Sequence, residues 1–221
     1  MFTRIAHRYD LMNALMTGGR HHAWRRLTAD AVRATPAGPV LDLATGTGDL
    51  ALAIRRARPA DTVVGADFAE GMLRAAAAKL GRRRERRVPL VAADALALPF
   101  RDGTFAAVTS AFLLRNLADL ARGVAEMRRV TKPGGLVVTL EITRPRIRGW
   151  DGLFGFFFHR IVPAVGGVVA GDRAAYTYLP ESVDRFVSPQ GLAELMRRTG
   201  LGEVHYRRLG LGTIALHVGV A

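Results

Sequence analysis

The segment Val40-Leu41-Asp42-Leu43-Ala44-Thr45-Gly46-Thr47-Gly48-Asp49 constrains this chain more than any other. A short strand-like run, interrupted by one acid, enters a turn with two glycines and then a helical pattern over Asp49–Ala57. A buried strand that turns at once into a helix is the opening unit of a parallel sheet covered by helices. Gly46 and Gly48 allow the tight bend and leave no Cβ between the main chain and a ligand.

The alternation continues. Strands are predicted at Val40–Ala44, Thr62–Asp67, Val88–Ala92, Ala106–Phe112 and Leu136–Glu141. Helices are predicted at Glu70–Leu80 and at Asp119–Thr131, the second stopped by Pro133-Gly134-Gly135. Met1 to about Thr35 reads helical, broken at Gly18-Gly19 before His22–Arg33. Ser188 caps a helix to Thr199 with Pro189 at its first position. Val204–Leu209 and Thr213–Val218, joined through Gly210-Leu211-Gly212, must run antiparallel. The expectation is one α/β domain over residues 1–221: a doubly wound, mostly parallel, seven-stranded sheet with an antiparallel last strand. Residues 1–35 are expected to form a helical lid, and 142–180 a helical substrate cap inserted before the last helix. The cap region carries the apolar run Leu153-Phe154-Gly155-Phe156-Phe157-Phe158, then Ile161-Val162. Core packing is the plain alternative for that run.

Composition excludes several chemistries. The 221 residues include no cysteine, which removes disulfides, thiolate zinc sites and a cysteine nucleophile. No segment reaches the roughly 18 apolar residues of a membrane span, and no signal-peptide core is expected at the N-terminus. A cytoplasmic location fits, with peripheral contact at the inner face of the cytoplasmic membrane left open. The net charge is +13, and the basic residues are nearly all arginine. Those arginines are scattered rather than gathered in one stripe, so nucleic acid is not the expected partner. The run Arg82, Arg83, Arg84, Arg86, Arg87 reads as a solvated helix-to-strand connection.

Acids stand at the ends of three strands: Asp42 with the glycine turn, Asp67 and Asp94. The carboxyl ends of parallel strands form the crevice where such sheets bind ligands. Asp67 suits the two hydroxyls of a ribose, and Asp94 with Ala95 suits an adenine edge. Asp49, directly after Gly48, sits badly beside a pyrophosphate but suits the ammonium of a methionyl group. These residues favour S-adenosylmethionine over a dinucleotide. Gly46, Thr47, Gly48, Asp42, Asp67, Asp94, Ala95 and Ser110 are the cofactor-binding candidates.

The chain also resembles a known family. Phe2-Thr3-Arg4-Ile5-Ala6-His7-Arg8-Tyr9-Asp10-Leu11-Met12-Asn13 matches F-x-x-I-A-x-x-Y-D-x-M-N, and Gly19 to Arg25 matches G-x-H-x-x-W-[RK]. Leu114-Arg115-Asn116, Lys132-Pro133-Gly134-Gly135 and Tyr176-Thr177-Tyr178-Leu179-Pro180-Glu181-Ser182-Val183 match further signatures, as does the tail Ile214 to Gly219. Together they resemble the menaquinone/ubiquinone biosynthesis C-methyltransferases (the demethylmenaquinone methyltransferases) within the class I methyltransferases. Two departures stand out. Leu113 replaces the family's glycine, and Ala111 falls where the family has a serine, with Ser110 one place earlier. Strand alternation sends Ser110 and Ala111 to opposite faces.

The resemblance implies methyl transfer from S-adenosylmethionine to a ring carbon of a prenylated quinol. The sulfonium is already an activated electrophile, so no metal is required. Arg115, Asn116 and Tyr9 are the catalytic candidates, Arg115 for a developing phenolate. A structural ion pair is the alternative for Arg115. His21 and His22 are further base candidates by chemistry, and Trp24 reads as core. The alternatives are a benzoquinol, another small molecule or RNA as acceptor, and a non-catalytic S-adenosylmethionine-binding assembly partner. Self-association is left open.

Overall fold

The computed structural model describes residues 2–82, 88–145, 147, 149–170 and 173–221, without the side chains of 2–9, 168–170 and 173–176. The sheet consists of β1 (Val40–Leu43), β2 (Val63–Asp67), β3 (Leu90–Ala92), β4 (Phe105–Ala111), β5 (Thr131–Ile142), β6 (Gly202–Leu209) and β7 (Ile214–Val220). Its order is β3-β2-β1-β4-β5-β7-β6. The first five strands pair in parallel, and β7 runs antiparallel to both β5 and β6. This is the expected doubly wound sheet, with its last strand inserted backwards.

Helices α1 (Phe2–Thr17) and α2 (His21–Ala31) precede β1, with the break at Gly18-Gly19, both at positive φ. Then follow α3 (Asp49–Ala57), α4 (Glu70–Arg82) and α5 (Leu120–Val130). Asp119 caps α5 by accepting from the Arg122 N–H. The region after β5 folds as α6 (Trp150–Phe156), a π-helical stretch (Phe157–Ile161), α7 (Val162–Ala170) and α8 (Arg173–Arg185). The last helix, α9 (Pro189–Arg198), has Ser188 as its cap, accepting from the Gly191 N–H.

Burial follows from the layers. Phe105, Val108, Met127, Val137, Leu192 and Met196 pack between the sheet and α5 with α9. Ala29, Val40, Leu50, Ile54, Val138 and Leu140 pack on the other face, under α2 and α3. A third cluster joins Met12 of α1, Met72 of α4, Phe158, Val162 and Val183. The N-terminal helix and the inserted helices thus close together over the α4 side of the sheet.

Four sequence expectations are adjusted. Strand β5 begins at Thr131, passing the Pro-Gly-Gly stop through an irregular register between Phe105 and Ala107 of β4. A Cβ on Gly135 would stand 2.6 Å from the Ala106 carbonyl, so the backbone runs close enough to rejoin the sheet. Strand β3 is shorter than predicted, and Arg83, Arg84, Arg86 and Arg87 lie outside the described residues. The inserted helices run past 180 to Arg185, with Pro180 inside α8. The apolar run divides by helical period. Phe158 and Val162 are core, Phe154 and Phe157 are half-buried, and Leu153, Phe156 and Ile161 face solvent.

Candidate active site

A crevice of about 290 Å³ opens beyond the carboxyl ends of β1, β2 and β4. Its floor is Leu43, Ala44 and Gly46, one end is Asp67 with Phe68, Ala69 and Met72, and Asp94, Ala95 and Leu96 form a side. The opposite wall is Ala111, Phe112, Leu113, Asn116, Leu117 and Ala118. One carboxylate-rich end therefore faces a nearly apolar wall, the composition of a small-molecule site.

Asp67 shapes the first end. Its Oδ2 accepts from the Gly46 N–H at 2.8 Å and its Oδ1 from the Ala69 N–H at 2.8 Å. Burial raises its pKa, and these backbone donors oppose the rise. Each carboxylate oxygen has a second lone pair, so acceptor capacity remains for two ligand hydroxyls. Asp94 Oδ1 accepts from the Leu96 N–H at 2.8 Å, which fixes the loop that presents Ala95.

Asp42, Thr47, Gly48 and Ser110 do not line this crevice. Asp42 is buried and accepts from Thr45 Oγ1 at 2.7 Å, so it supports the glycine turn from below. Gly48 is required for its φ of 85° rather than for ligand approach, since Ala76 and Leu80 of α4 fill the space beside it. Thr47 donates to Asp10 Oδ1 at 2.6 Å and accepts from Lys79 Nζ at 3.0 Å. Ser110 corrects the expected cofactor contact. In β4 it is fully buried with Oγ unpartnered, while Ala111, on the other face, lines the crevice.

The catalytic candidates separate as well. Asn116 lines the crevice, donates from Nδ2 to the Phe112 carbonyl at 3.1 Å, and accepts from the Tyr178 hydroxyl at 3.2 Å. Arg115 is turned away from the crevice. Its Nη1 donates to Glu141 Oε2 at 3.0 Å and to the Phe112 carbonyl at 2.8 Å, and both charged side chains are buried. The ion-pair alternative is thus the contact observed, because β5 brings Glu141 beneath the turn. Glu141 Oε1 also accepts from the Leu114 N–H at 2.6 Å. Phe112 holds a φ of 65°, unusual for a bulky residue, and the Arg115 and Asn116 donors stabilise that carbonyl direction. Tyr9 lies on α1, and its side chain is outside those described.

His21 has its pKa lowered to about 4, chiefly by burial and then by Arg25, which makes it a poor general base near neutrality. His22 is exposed, and neither histidine lines the crevice. Trp24 is half-buried against the α2–α3 core.

Sequence reasoning missed four contributors. Phe68, 80% exposed at the crevice end, was signalled only by its place after Asp67. Lys79 of α4 binds Asp49 at 2.7 Å and Asp10 at 2.5 Å, tying three helices at the turn. Glu141 gave no signal beyond a charge inside a strand. Arg25, buried beside Asp42, Thr47 and Asp49, leaves Nη1 without a hydrogen-bond partner. The small cavity there shares Ala44, Gly46 and Ala111 with the crevice wall.

The residues fit S-adenosylmethionine. Asp67 supplies acceptors for a ribose, Phe68, Met72, Ala95 and Leu96 supply apolar contact for a base, and the orphaned Arg25 Nη1 is a donor awaiting a carboxylate. Asp49, the sequence's candidate for the ammonium, is instead held by Lys79 through Oδ1 at 2.7 Å and does not line the crevice.

Protonation of Asp42 has a measurable consequence. Burial raises its pKa from 3.8 to about 7. The folded state therefore holds a proton that the unfolded state has lost, and stability from this group falls as pH rises from about 4 to 7. His21 and His217, lowered from 6.5 to about 4, act oppositely: they lose stability as pH falls from 6.5 to about 4. Asp42→Asn is therefore expected to steepen the rise of urea midpoint between about pH 4 and 7. A profile parallel to the parent's would contradict a protonated Asp42.

Comparison with known proteins agrees with this architecture. The model of the ubiE/COQ5 methyltransferase family matches residues 1–221. The chain is 45% identical over 219 residues to the demethylmenaquinone methyltransferase of Thermus thermophilus, covering 99% of each. It is 43% identical over 220 residues to the ubiquinone/menaquinone biosynthesis C-methyltransferase UbiE of Desulfotalea psychrophila, covering 100% of this chain and 88% of that one. Among solved structures, a SAM-dependent methyltransferase from Aquifex aeolicus matches with a TM-score of 0.64 at 16% identity, covering 96% of both chains. That likeness concerns the fold. From the glycine turn and Asp67 to the full-length match, the chain belongs to the ubiE/COQ5 methyltransferase family.

Proposed function

We propose that this chain methylates a ring carbon of a prenylated quinol, with demethylmenaquinol as the acceptor. One observation carries the reading: a single crevice joins a carboxylate end suited to a nucleoside with an apolar wall suited to a hydrophobic ring. The name carried by the Thermus relative favours the naphthoquinol, and the UbiE name keeps a benzoquinol as the second reading. Bound S-adenosylmethionine supplies an electrophilic methyl group.

The residues divide the remaining work. Asp67 holds the ribose, Asp94 and Ala95 the adenine edge, and the glycine turn with Arg25 the amino-acid end. Leu113, Leu117 and Phe112 exclude water and seat the ring. Asn116 offers the wall's side-chain amide toward a quinol oxygen, and Tyr178 orients it from α8. Tyr9 of α1 is the residue that the family resemblance offers for proton handling. Arg115 acts as a positioning residue: with Glu141 it fixes the Phe112–Asn116 turn. Helices α1 and α2 serve as lid, and α6 to α8 as substrate cap.

The test is the quinone extracted from cells with and without this chain. Loss of the chain is expected to accumulate the demethyl naphthoquinone, and an unchanged quinone pool rejects the assignment.

A prenyl tail also requires contact with a bilayer. Among the described residues no helix is long and apolar enough to cross a membrane. Leu153 and Phe156, each 59% exposed, and Ile161 at 40% offer an insertion edge, with Arg160 beside them. Arg144 is instead paired with Asp184, and Arg146 and Arg148 lie outside the described residues. Replacing Leu153, Phe156 and Ile161 by Ser is expected to weaken binding to anionic vesicles about tenfold or more, since one such side chain is worth about 1.5–3 kcal/mol. The melting temperature should not move. Equal vesicle binding by the variant would remove this edge from the reading.

A further inference from the structure

Helix α2 begins with two histidines that meet the first turn of α3. One nitrogen of His21, one of His22 and a carboxylate oxygen of Asp49 all lie within 4.8 Å of one another. The two rings are 3.9 Å apart at their centroids and tilted by 38°. Neither histidine belongs to the crevice, so this pairing is left unexplained by the quinol reading.

Hydrogen bonding fixes what His21 presents. Thr17 Oγ1 donates its single proton to the Asn13 carbonyl at 2.7 Å. Toward His21 Nδ1, 2.8 Å away, that oxygen can therefore only accept. Nδ1 carries the hydrogen, and Nε2 carries the free lone pair. A histidine held through its second nitrogen in this way is the usual support of a metal ligand, because it sets both tautomer and ring direction.

The other two ligands are accessible to an ion. His22 is exposed, which gives an entry path. Asp49 is held through Oδ1 by Lys79 at 2.7 Å, so Oδ2 remains to be used. Arg25 and Lys79 are the neighbouring cations, and Asp10 and Asp49 the neighbouring anions. The fixed charges around the cluster thus balance, and an entering cation meets no net repulsion from them.

We propose that His21, His22 and Asp49 form a binding site for a divalent transition metal of the zinc class, which staples α2 to the first turn of α3. Two imidazoles and one carboxylate suit this class over magnesium or calcium, which prefer all-oxygen ligands. Bonds of about 2.0–2.2 Å from three protein ligands leave a fourth position for water. Tetrahedral bonds of this length set ligand atoms about 3.4 Å apart, so side chains now within 4.8 Å of one another close by up to about 1.4 Å. No part in methyl transfer is assigned to the ion. Its expected effect is on the N-terminal helices, because a ligand bound only by the folded chain raises its melting temperature.

The test uses the untagged full chain, stripped of metal. Calorimetric titration with Zn²⁺ is expected to show one site, and Co²⁺ is expected to give the visible absorption of a nitrogen- and oxygen-ligated ion. Zn²⁺ should raise the melting temperature. His22→Ala and Asp49→Asn should each weaken binding about tenfold or more, and Thr17→Val, which removes the support of His21, by about tenfold. His159→Ala, at the exposed pair with Asp184, should bind zinc as the parent does. His22 is exposed, so a folded variant is expected, and circular dichroism checks it. Absence of binding at millimolar Zn²⁺, or identical titrations for the parent and His22→Ala, overturns the proposal.

Discussion

Replacing Glu141 with alanine is expected to lower the unfolding free energy by about 3–5 kcal/mol, the scale for breaking a buried ion pair on one side. Glu141 is 1% exposed. Its two oxygens accept from the Leu114 N–H and from Arg115 Nη1. Removal leaves a buried guanidinium with the Phe112 carbonyl as its remaining described acceptor, and a buried N–H with none. Arg115→Ala should cost a similar amount, since it strands the carboxylate, whose pKa burial already raises. Replacing both by apolar residues of similar volume should recover much of the loss. Urea unfolding of the parent, the two alanine variants and the chain that carries both alanines forms a double-mutant cycle. If Arg115 instead touched the reacting ring, Arg115→Ala would keep its stability and lose turnover. A loss below about 1 kcal/mol for both single variants contradicts the buried pair.

The second large effect is at Asp67. Asp67→Ala is expected to weaken S-adenosylmethionine binding by about 1.5–3 kcal/mol, the range for hydrogen bonds to a charged group. That corresponds to roughly tenfold to 150-fold in Kd. Part of the loss is indirect, because Gly46 and Ala69 also lose the acceptor of their N–H groups. Asp67→Asn retains one carbonyl oxygen and should lie between the two chains. Calorimetry at constant salt measures this, and unchanged affinity for Asp67→Ala removes Asp67 from the cofactor site.

What the sequence made legible was local. The helix Asp49–Ala57 and the Ser188–Pro189 start of α9 fall where capping and glycine chemistry put them, because those signals act within a few residues. The acids Asp67 and Asp94 were legible for the same reason: a strand end is itself a position in the crevice. Longer-range facts were not. Whether Ser110 or Ala111 met the crevice depended on one residue of strand phase, which pattern alone does not resolve. Arg115 looked catalytic because its partner Glu141 lies 26 residues away, across a crossover that no local pattern encodes. The phenylalanine run looked uniform, yet the π-helical segment and the packing of Met12 and Met72 decide which rings are core. Lys79, unremarkable in its helix, gains its meaning from two acids brought in by α1 and α3.

On the proposed reading, the crevice between Asp67 and the Phe112–Ala118 wall methylates a quinol ring carbon. The most direct measurement is turnover by the purified chain, given S-adenosylmethionine bearing a labelled methyl group and a short-tailed demethylmenaquinol kept reduced. Label is expected on a ring carbon of the quinol in place of its proton, with S-adenosylhomocysteine released in equal amount, and little of either from Asp67→Ala at limiting cofactor. Tight cofactor binding with no label in any quinol, naphthalene or benzene, would contradict it.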